Sequence, residues 1–360
     1  MHEAWRRRVD VINSTTLHLL INAYPNNWLK ALFSVDREPL PAFFALADAN
    51  TPLAVNLRTD RYALTSGDET DIELWLLNDT PHRPRDLRVV YRIEVAGETS
   101  LISGCAVGVD PVSSAFQGTL AWTTPEVTSV TPVKVSATLT DAAERVVHDA
   151  TLEISLWPQG ERDLLAGRDV AVLGREGEAA WRLVEVFGGS PQPWRDDASP
   201  ELLVCDSPPM AEAARIPLHG YLQRGGAMLA LPQPGGETWV VGDERVEIRD
   251  SRGHQFVSRQ TGHPAVADLD PQHYARWYHP DLDRITHLMH GFLVGDHLTP
   301  VTLTGTGLWY SPREMHPATA ELAIGDGRVI LDQVRALERV DEEPRAAEHL
   351  RRMFAHLMWR

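Results

Sequence analysis

The feature that most constrains the fold is a change in the spacing of apolar residues along the chain. In 51–158 apolar and polar residues alternate, as at Ile72, Leu74 and Leu76, which is the period of a strand with one buried face. From 168 onward the apolar residues come in short uninterrupted runs, which are typical of strands buried on both faces. One sheet cannot satisfy both patterns, so the sequence predicts two kinds of domain.

The alternating part, residues 51–158, is predicted to be an antiparallel β-sandwich of the immunoglobulin-like kind. Turn-forming sequences such as SGD, NDTP and AGE separate its short strands. Strands of this length, joined by turns at short intervals, are typical of sandwiches. Trp75 and Trp122 are interpreted as aromatic residues of the sandwich core or edge.

Residues 162–360 are predicted to form a flavodoxin-like α/β domain with a mainly parallel sheet. Its first predicted elements alternate between strand and helix: 169–174, 178–187, 202–205, 211–224 and 227–231. Both helices end at Gly-Gly pairs, which suit helix C-termini. Strand–helix–strand order implies right-handed crossovers between parallel strands. A hairpin with the turn GDG and an amphipathic helix over 343–359 complete the domain.

Residues 1–50 are predicted to form a helix, a buried strand and a second helix. Trp5, Val9 and Ile12 share one face of the first helix, the strand covers 17–21, and the second helix covers 41–49. A piece of this size cannot bury its own strand. The next domain, a partner or further chain must therefore cover it.

The charge balance bears on the partners of the chain. The formal net charge is -16, and such a surface repels nucleic-acid phosphates and anionic membranes. No run of 18 apolar residues occurs, so no membrane span is expected. The first residues lack the apolar region of a signal peptide, which favours a cytoplasmic location and leaves the compartment open.

Cysteine and histidine spacing predicts neither a metal site nor a cofactor. Cys105 and Cys205 fall in different predicted domains, so no disulfide is expected. The histidines between 254 and 297 are irregularly spaced, without an H-E-x-x-H motif. Cys205 follows a strand but lacks the glycine elbow of a nucleophile, so it is interpreted as a buried apolar residue.

The segment around DREPLPAFFAL resembles the end of the catalytic barrel in glycoside hydrolase family 2, the β-galactosidase and β-mannosidase kind. The matching residues are Asp36, Pro39, Pro41, Ala42, Phe43, Phe44, Ala45 and Leu46. Glu38 stands where the family usually has glycine, and Leu40 where it usually has lysine. The resemblance implies that 1–50 is a remnant of the end of a (β/α)8 barrel.

Two further stretches extend this resemblance over most of the chain. DRYALTSGDETDIELWLLNDT is similar to the opening of the immunoglobulin-like sandwich that follows the barrel in that family. LLVCDSPP, LQRGGAMLAL and GDGRVILDQVRAL resemble the flavodoxin-like, glutamine-amidotransferase-like domains appended to some large glycosidases. The resemblance thus implies the C-terminal region of a family 2-like hydrolase with such an appended domain.

The resemblance also implies that the catalytic residues lie outside this chain. A retaining glycosidase needs two carboxyl groups ~5–5.5 Å apart, and in the family they follow the fourth and seventh barrel strands. Asp36, Glu38 and Asp48 lie beyond the last barrel strand and are interpreted as surface groups. We therefore expect a noncatalytic region of an enzyme acting on β-glycosides, which is inactive alone and contacts carbohydrate through the barrel. It would brace the barrel, complete the cleft or mediate homo-oligomerisation.

Trp28, with Asn26 and Asn27, is the candidate substrate-binding group. These residues follow the predicted strand 17–21, and loops after barrel strands line the active site. An aromatic ring there stacks on a sugar, whereas packing of Trp28 against the sandwich is the alternative.

Two other functions remain open on the sequence. A free-standing carbohydrate-binding protein requires exposed aromatic residues in a row, and Trp75, Trp122 and Trp309 are the candidates. A small-molecule hydrolase on the α/β domain requires a pocket that holds Cys205 together with a histidine.

Overall fold

The computed structural model describes residues 2–12, 20–21, 31–70, 72–206, 212–241, 244–250, 259–306 and 314–359. Their contacts divide the chain into two compact units. Unit 1 comprises Met1–Thr59 and Ser66–Leu156, and unit 2 comprises Asp60–Thr65 and Trp157–Arg360. Strands dominate over helices in this β-rich, multi-sheet protein.

The described α-helices are α1 (His2–Arg6), α2 (Pro41–Ala49), α3 (Ala179–Val186), α4 (Glu212–Gln223) and α5 (Pro344–Met358). The described strands are β1 (Leu53–Arg58), β2 (Ala63–Thr65), β3 (Glu73–Asn78), β4 (Leu87–Val95), β5 (Glu98–Val107), β6 (Ser113–Thr119), β7 (Thr131–Thr140), β8 (Val146–Trp157), β9 (Val170–Leu173), β10 (Gln192–Pro193), β11 (Leu202–Cys205), β12 (Ala227–Ala230), β13 (Thr238–Val241), β14 (Glu244–Asp250), β15 (Arg259–Gln260), β16 (Tyr278–His279), β17 (Arg284–Ile285), β18 (Gly291–Gly295), β19 (Thr299–Thr306), β20 (Glu314–Ile324) and β21 (Gly327–Asp332). Among these described residues, no helix combines the length and apolar character needed to cross a bilayer.

Unit 1 contains two antiparallel sheets. One has the order β1-β3-β6, and the other contains the run β8-β7-β4-β5. β1 contacts β7, which brings the two sheets together. Ile72, Leu74 and Leu76 are buried, because successive side chains of a strand point to opposite faces and these three share the inner one. The predicted alternation holds for these three residues, but Leu77, which the alternation places on the opposite face, is buried as well.

The first residues of unit 1 differ in part from the prediction. The helix expected to reach Ile12 ends at Arg6, because the β-branched residues that follow, Val9 among them, are weak helix formers. Residues 17–19 of the predicted strand lie outside the described residues, and Ile21 forms an isolated bridge to Phe33. Helix α2 has the predicted bounds, with proline at its first position, where proline is favoured.

Unit 2 is built on an eight-stranded sheet of order β10-β9-β11-β12-β21-β20-β19-β15. The pairs from β10 to β21 are parallel. The pairs from β21 to β15 are antiparallel, so the sheet is mixed where the sequence predicted a mainly parallel one. The hairpin β20–β21 turns at Gly325, whose positive φ suits glycine. Smaller sheets, β13-β14-β18 and β16-β17, were not predicted.

Both faces of the parallel strands are covered. Leu229 of β12 packs in a buried cluster with residues of α3 and α5, whereas Met228 packs in a second cluster with residues of α4. Phe187 and Phe354 join the first cluster edge to face, with ring centroids 5.3 Å apart. This two-sided burial explains the uninterrupted apolar runs, because neither face of the strand meets water.

Candidate functional site

The predicted sugar-contacting residues Asn26, Asn27 and Trp28 lie outside the described residues. Ala31 leads into a turn in which Ser34 donates its backbone N–H to the Glu38 carbonyl oxygen at 2.8 Å. Asp36 and Glu38 are exposed in this turn. Both acids therefore occupy the surface positions expected from the sequence.

Arg6 fastens the start of the chain to the rest of unit 1. Its guanidinium donates hydrogen bonds to the carbonyl oxygens of Ala49 at 2.7 Å, Thr51 at 2.8 Å and Pro52 at 3.3 Å. Its Nε also lies 3.1 Å from a carboxylate oxygen of Asp79. These contacts hold α1 against the point where α2 leads into β1.

Arg7 makes a second attachment to the sandwich sheets. Its guanidinium hydrogen-bonds the side-chain oxygen of buried Asn56 in β1, and its carbonyl oxygen accepts a hydrogen bond from Ser114 of β6 at 2.9 Å. Burial, followed by the nearby charge of Arg58, lowers the pKa of Arg7. The first residues are thus tied to two strands of the same sheet.

The described residues of 1–50, which Arg6 and Arg7 attach to the sheet, include several apolar side chains that are exposed to solvent. Helix α2, with the sequence PAFFALADA, contains no buried residue. The uncovered apolar residues are Val11 (78% exposed), Leu20 (60%), Ile21 (40%), Val35 (53%) and Phe44 (60%). Folded domains seldom expose so many large apolar residues in one short segment.

Trp75 and Phe116 form an aromatic pair on the sheet β1-β3-β6. Their ring centroids are 5.4 Å apart, Phe116 is 53% exposed, and Trp75 is half-buried. The Trp75 indole N–H donates to the Glu73 carboxylate at 2.6 Å. Half-buried Trp122 instead donates to Ser100 at 3.0 Å, and Trp309 lies outside the described residues.

The carboxyl ends of β9 and β11 carry polar groups bound within the fold. Asp206 accepts the backbone N–H of Ala180 at the start of α3, at 3.2 Å. A Cβ on Gly174 would lie 2.3 Å from an Asp206 carboxylate oxygen, so a larger residue there would displace the Asp206 side chain. Cys205 is fully buried among apolar side chains. The cysteine is therefore no solvent-accessible nucleophile, as expected from the sequence.

A buried polar network links β21 to α5. His349 Nε2 lies 2.9 Å from Asp332 Oδ2, and its Nδ1 lies 2.9 Å from the Tyr274 hydroxyl oxygen. Asp332 also accepts hydrogen bonds from the Thr319 hydroxyl at 2.7 Å and the Val334 N–H at 3.0 Å. Burial raises the pKa of Tyr274. Asp332 and His349 are completely buried, so this network holds the helix on the sheet.

A cleft of 630 Å³ lies where α4 and α5 end, and it is lined by Arg168, Arg224 and Arg328. Arg168 Nη1 lies 3.3 Å from Glu201, another lining residue. Helix C-termini carry partial negative charge, so arginines are stabilised beside them. The arginines of the cleft therefore lie where the helix ends favour positive charge.

A second cluster of ionisable side chains joins three elements of unit 2. His263 precedes a short 3-10 helix, Glu321 lies in β20, and His356 lies in the last turn of α5. Their nitrogen and oxygen donor atoms all lie within 4.8 Å of one another. Burial lowers the pKa of His263, and the charges of His356 and Arg328 lower it further, against the opposing effect of Glu321.

Sequence reasoning did not find this cluster. Its members are far apart in sequence and follow no ligand spacing, and only His263 belonged to the histidine-rich stretch. His287 and His290, the pair three residues apart, do not join it. The three residues meet because α5 packs against the 3-10 helix that follows His263 and against β21, the neighbour of β20 in the sheet.

No protein-family model and no curated protein matches the chain. Among solved structures, exo-chitosanase CsxA of Amycolatopsis orientalis is 17% identical, with TM-score 0.34, over 43% of this chain and 17% of that chain. Its complex with PNP-beta-D-glucosamine is 18% identical, with TM-score 0.32, over the same shares. The chain thus spans about a sixth of that enzyme's length.

A CARDB domain from Pyrococcus furiosus, solved in complex with di-metal ions, is 16% identical, with TM-score 0.22. The match covers 30% of this chain and 92% of that domain. TM-scores below 0.5 do not establish a shared fold, so the function of this chain must be inferred from its own residues and contacts.

Proposed function

We propose that this chain is the noncatalytic C-terminal region of a glycoside hydrolase acting on β-glycosides. In this proposal residues 1–50 are the end of its (β/α)8 barrel, and 51–158 are an immunoglobulin-like sandwich that braces it. The carbohydrate reaches the protein through the barrel, where Trp28, Asn26 and Asn27 contact it.

The observation that carries the proposal is helix α2, an apolar helix without a buried residue. An isolated surface helix normally buries one apolar stripe against its own domain. Phe44 is 60% exposed here, in the segment whose sequence resembles the barrel end. We propose that the remaining barrel covers this surface.

The attachments of Arg6 and Arg7 support the bracing role. A brace must be fixed to the element it supports, and these side chains connect α1, α2, β1 and β6 within unit 1. Arg6 is nearly buried, with 10% of its side chain exposed, so the connection is shielded from solvent. Shielded charge-assisted hydrogen bonds are stronger than exposed ones.

For residues 162–360 we propose a flavodoxin-like domain of the glutamine-amidotransferase-like kind. Its parallel strands, numbered by their order in the chain, run 2-1-3-4-5 across the sheet. This order is typical of flavodoxin-like folds. Because Cys205 is buried, we propose that this domain is a noncatalytic part of the hydrolase and has no nucleophile of its own.

The test measures hydrolysis of nitrophenyl β-galactoside, mannoside, glucoside and glucuronide. The chain alone should show no turnover, and the chain joined to the polypeptide encoded directly upstream should turn over at least one of these substrates. In the joined protein, Phe44→Asp should reduce turnover at least about tenfold, because a charge would be buried in the barrel contact.

The matched control is Ile216→Asp in the joined protein. Ile216 is 75% exposed on α4 in unit 2, so its substitution should leave turnover within about twofold. Turnover by the chain alone that disappears on Asp36→Asn or Glu38→Gln would overturn the proposal. An upstream reading frame without a barrel would overturn it as well.

A further inference from the structure

The cluster of His263, Glu321 and His356 has the arrangement of a metal-binding site. His263 Nε2 lies 3.3 Å from Glu321 Oε2, and His356 Nε2 hydrogen-bonds the same oxygen. The two imidazole rings stand edge to face, with centroids 4.8 Å apart. Both ring nitrogens that are available for coordination therefore point at one carboxylate.

The spacing between His263 and Glu321 agrees with the size of a zinc site. Zinc–nitrogen and zinc–oxygen bonds of about 2.0–2.2 Å place neighbouring ligands of a tetrahedral site roughly 3.3–3.6 Å apart. The contact between His263 and Glu321 already has this length. The closer contact between His356 and Glu321 must open slightly, which a glutamate side chain permits by rotation.

The donor set selects the class of metal. Two imidazoles and one carboxylate bind Zn²⁺ and neighbouring late transition metals, whereas Mg²⁺ and Ca²⁺ prefer oxygen ligands alone. The side chains of His263, Glu321 and His356 are 7%, 18% and 14% exposed. The site is therefore shielded yet reachable, with coordination positions left for water.

Two neighbouring groups oppose the metal. The Ala265 N–H donates to His263 Nδ1 at 3.2 Å, and this contact is lost when Nδ1 carries the proton that coordination through Nε2 requires. Arg328 adds positive charge nearby. Coordination replaces the two imidazole–carboxylate hydrogen bonds by three metal bonds, which outweigh one backbone hydrogen bond.

We propose that His263, Glu321 and His356 bind one Zn²⁺ ion, which ties α5 and the segment before Pro264 to β20. The inference depends on unit 2 alone and is independent of the proposed glycosidase role. It departs from the expectation, drawn from histidine spacing, that the chain has no metal site.

The test is calorimetric titration of Zn²⁺ into untagged, chelator-treated protein carrying Cys105→Ser, since Cys105 is an exposed thiol. One ion should bind, and the Kd should weaken at least about tenfold in His263→Ala, Glu321→Gln and His356→Ala. Co²⁺ should give the visible absorption of a low-symmetry four- or five-coordinate site. Circular dichroism without metal identifies any variant that fails to fold.

The matched control is His297→Ala. His297 also lies 3.3 Å from a glutamate, Glu244, but it is exposed and joins no second histidine. Its substitution should leave the Zn²⁺ affinity unchanged. Binding that survives in folded Glu321→Gln and His356→Ala, or that is lost equally in His297→Ala, would overturn the site. So would the absence of saturable binding by the parent protein.

Discussion

The two units place their charged side chains differently. Unit 2 buries Asp332, Arg339 and Glu343 completely. Among the described residues of unit 1, no Asp, Glu, Lys or Arg falls in the buried class. Unit 1 thus depends on apolar alternation between two sheets, whereas unit 2 also depends on ionic groups that must find partners away from water. Buried ion pairs make a fold sensitive to the loss of one partner.

The buried charged side chains of unit 2 have hydrogen-bond or ion-pair partners. Burial lowers the pKa of Arg339 to about 10, and its guanidinium donates to the Thr286 hydroxyl at 2.6 Å and the His287 carbonyl oxygen at 2.8 Å. Arg345 and Glu343 form a buried pair with a nitrogen–oxygen distance of 2.6 Å. The Arg339 contacts connect the chain before α5 to the segment that contains Thr286 and His287, so unit 2 is held by directional contacts as well as by packing.

The prediction with the largest expected effect tests this comparison directly. Asp332→Ala should lower the free energy of unfolding of unit 2 by about 3–5 kcal/mol, because it leaves His349, Thr319 and the Val334 N–H without their acceptor. Chemical denaturation followed by circular dichroism measures the loss. Glu153→Ala, on an exposed position of β8 in unit 1, should change stability by no more than about 0.5 kcal/mol. Equal losses in the two variants would contradict the comparison.

A smaller loss of stability is expected on substitution of Arg6, a largely buried charged residue of unit 1. Arg6→Ala removes its hydrogen bonds to Ala49, Thr51 and Pro52, and it should destabilise the attachment of α1 by about 1–2 kcal/mol. Hydrogen exchange should become faster in α1 and α2, and the exchange rates in unit 2 should not change. Arg83→Ala is the control, because the Arg83–Asp110 pair is exposed and such pairs contribute little. Unaltered exchange in α1 would contradict the role of Arg6.

The smallest effect at neutral pH concerns Tyr221 of α4. Burial raises the pKa of its hydroxyl to about 12, whereas an unfolded tyrosine ionises near 10. Below about pH 10 the contribution of the Tyr221 hydroxyl to the free energy of unfolding is fully present. It is lost as pH rises toward 12, because the unfolded state then releases a proton that the folded state retains. The urea midpoint of the parent should therefore fall between pH 10 and 12.

Tyr221→Phe isolates this contribution from those of other tyrosines. The variant loses the hydroxyl that contacts the Ala227 carbonyl oxygen at 2.9 Å and accepts the Ala227 N–H at 3.0 Å, which should cost about 1 kcal/mol at neutral pH. Its midpoint should fall less steeply than that of the parent above pH 10. Parallel pH profiles would show that Tyr221 ionises equally in both states.

Local sequence signals predicted the elements whose periods are unambiguous. Helix α2 and strand β11 have the predicted bounds, and the hairpin β20–β21 forms at the predicted turn. The first helix was predicted too long, since a shared face does not overcome β-branched residues in a short helix. The sheets between β12 and β19 were not predicted, although β14 has the alternation of a half-buried strand, with Val246 and Ile248 buried.

The sequence by itself determined where apolar alternation gives way to buried runs, that Cys205 lacks a nucleophile's surroundings, and which segment resembles a barrel end. Only the tertiary structure decided that Asp332 meets His349, that Glu321 lies between His263 and His356, and that α2 remains uncovered. The reason is physical: periodicity reflects the environment of one element, since side chains repeat along its own axis. Contacts between distant residues depend on how the elements pack, and no local pattern records that.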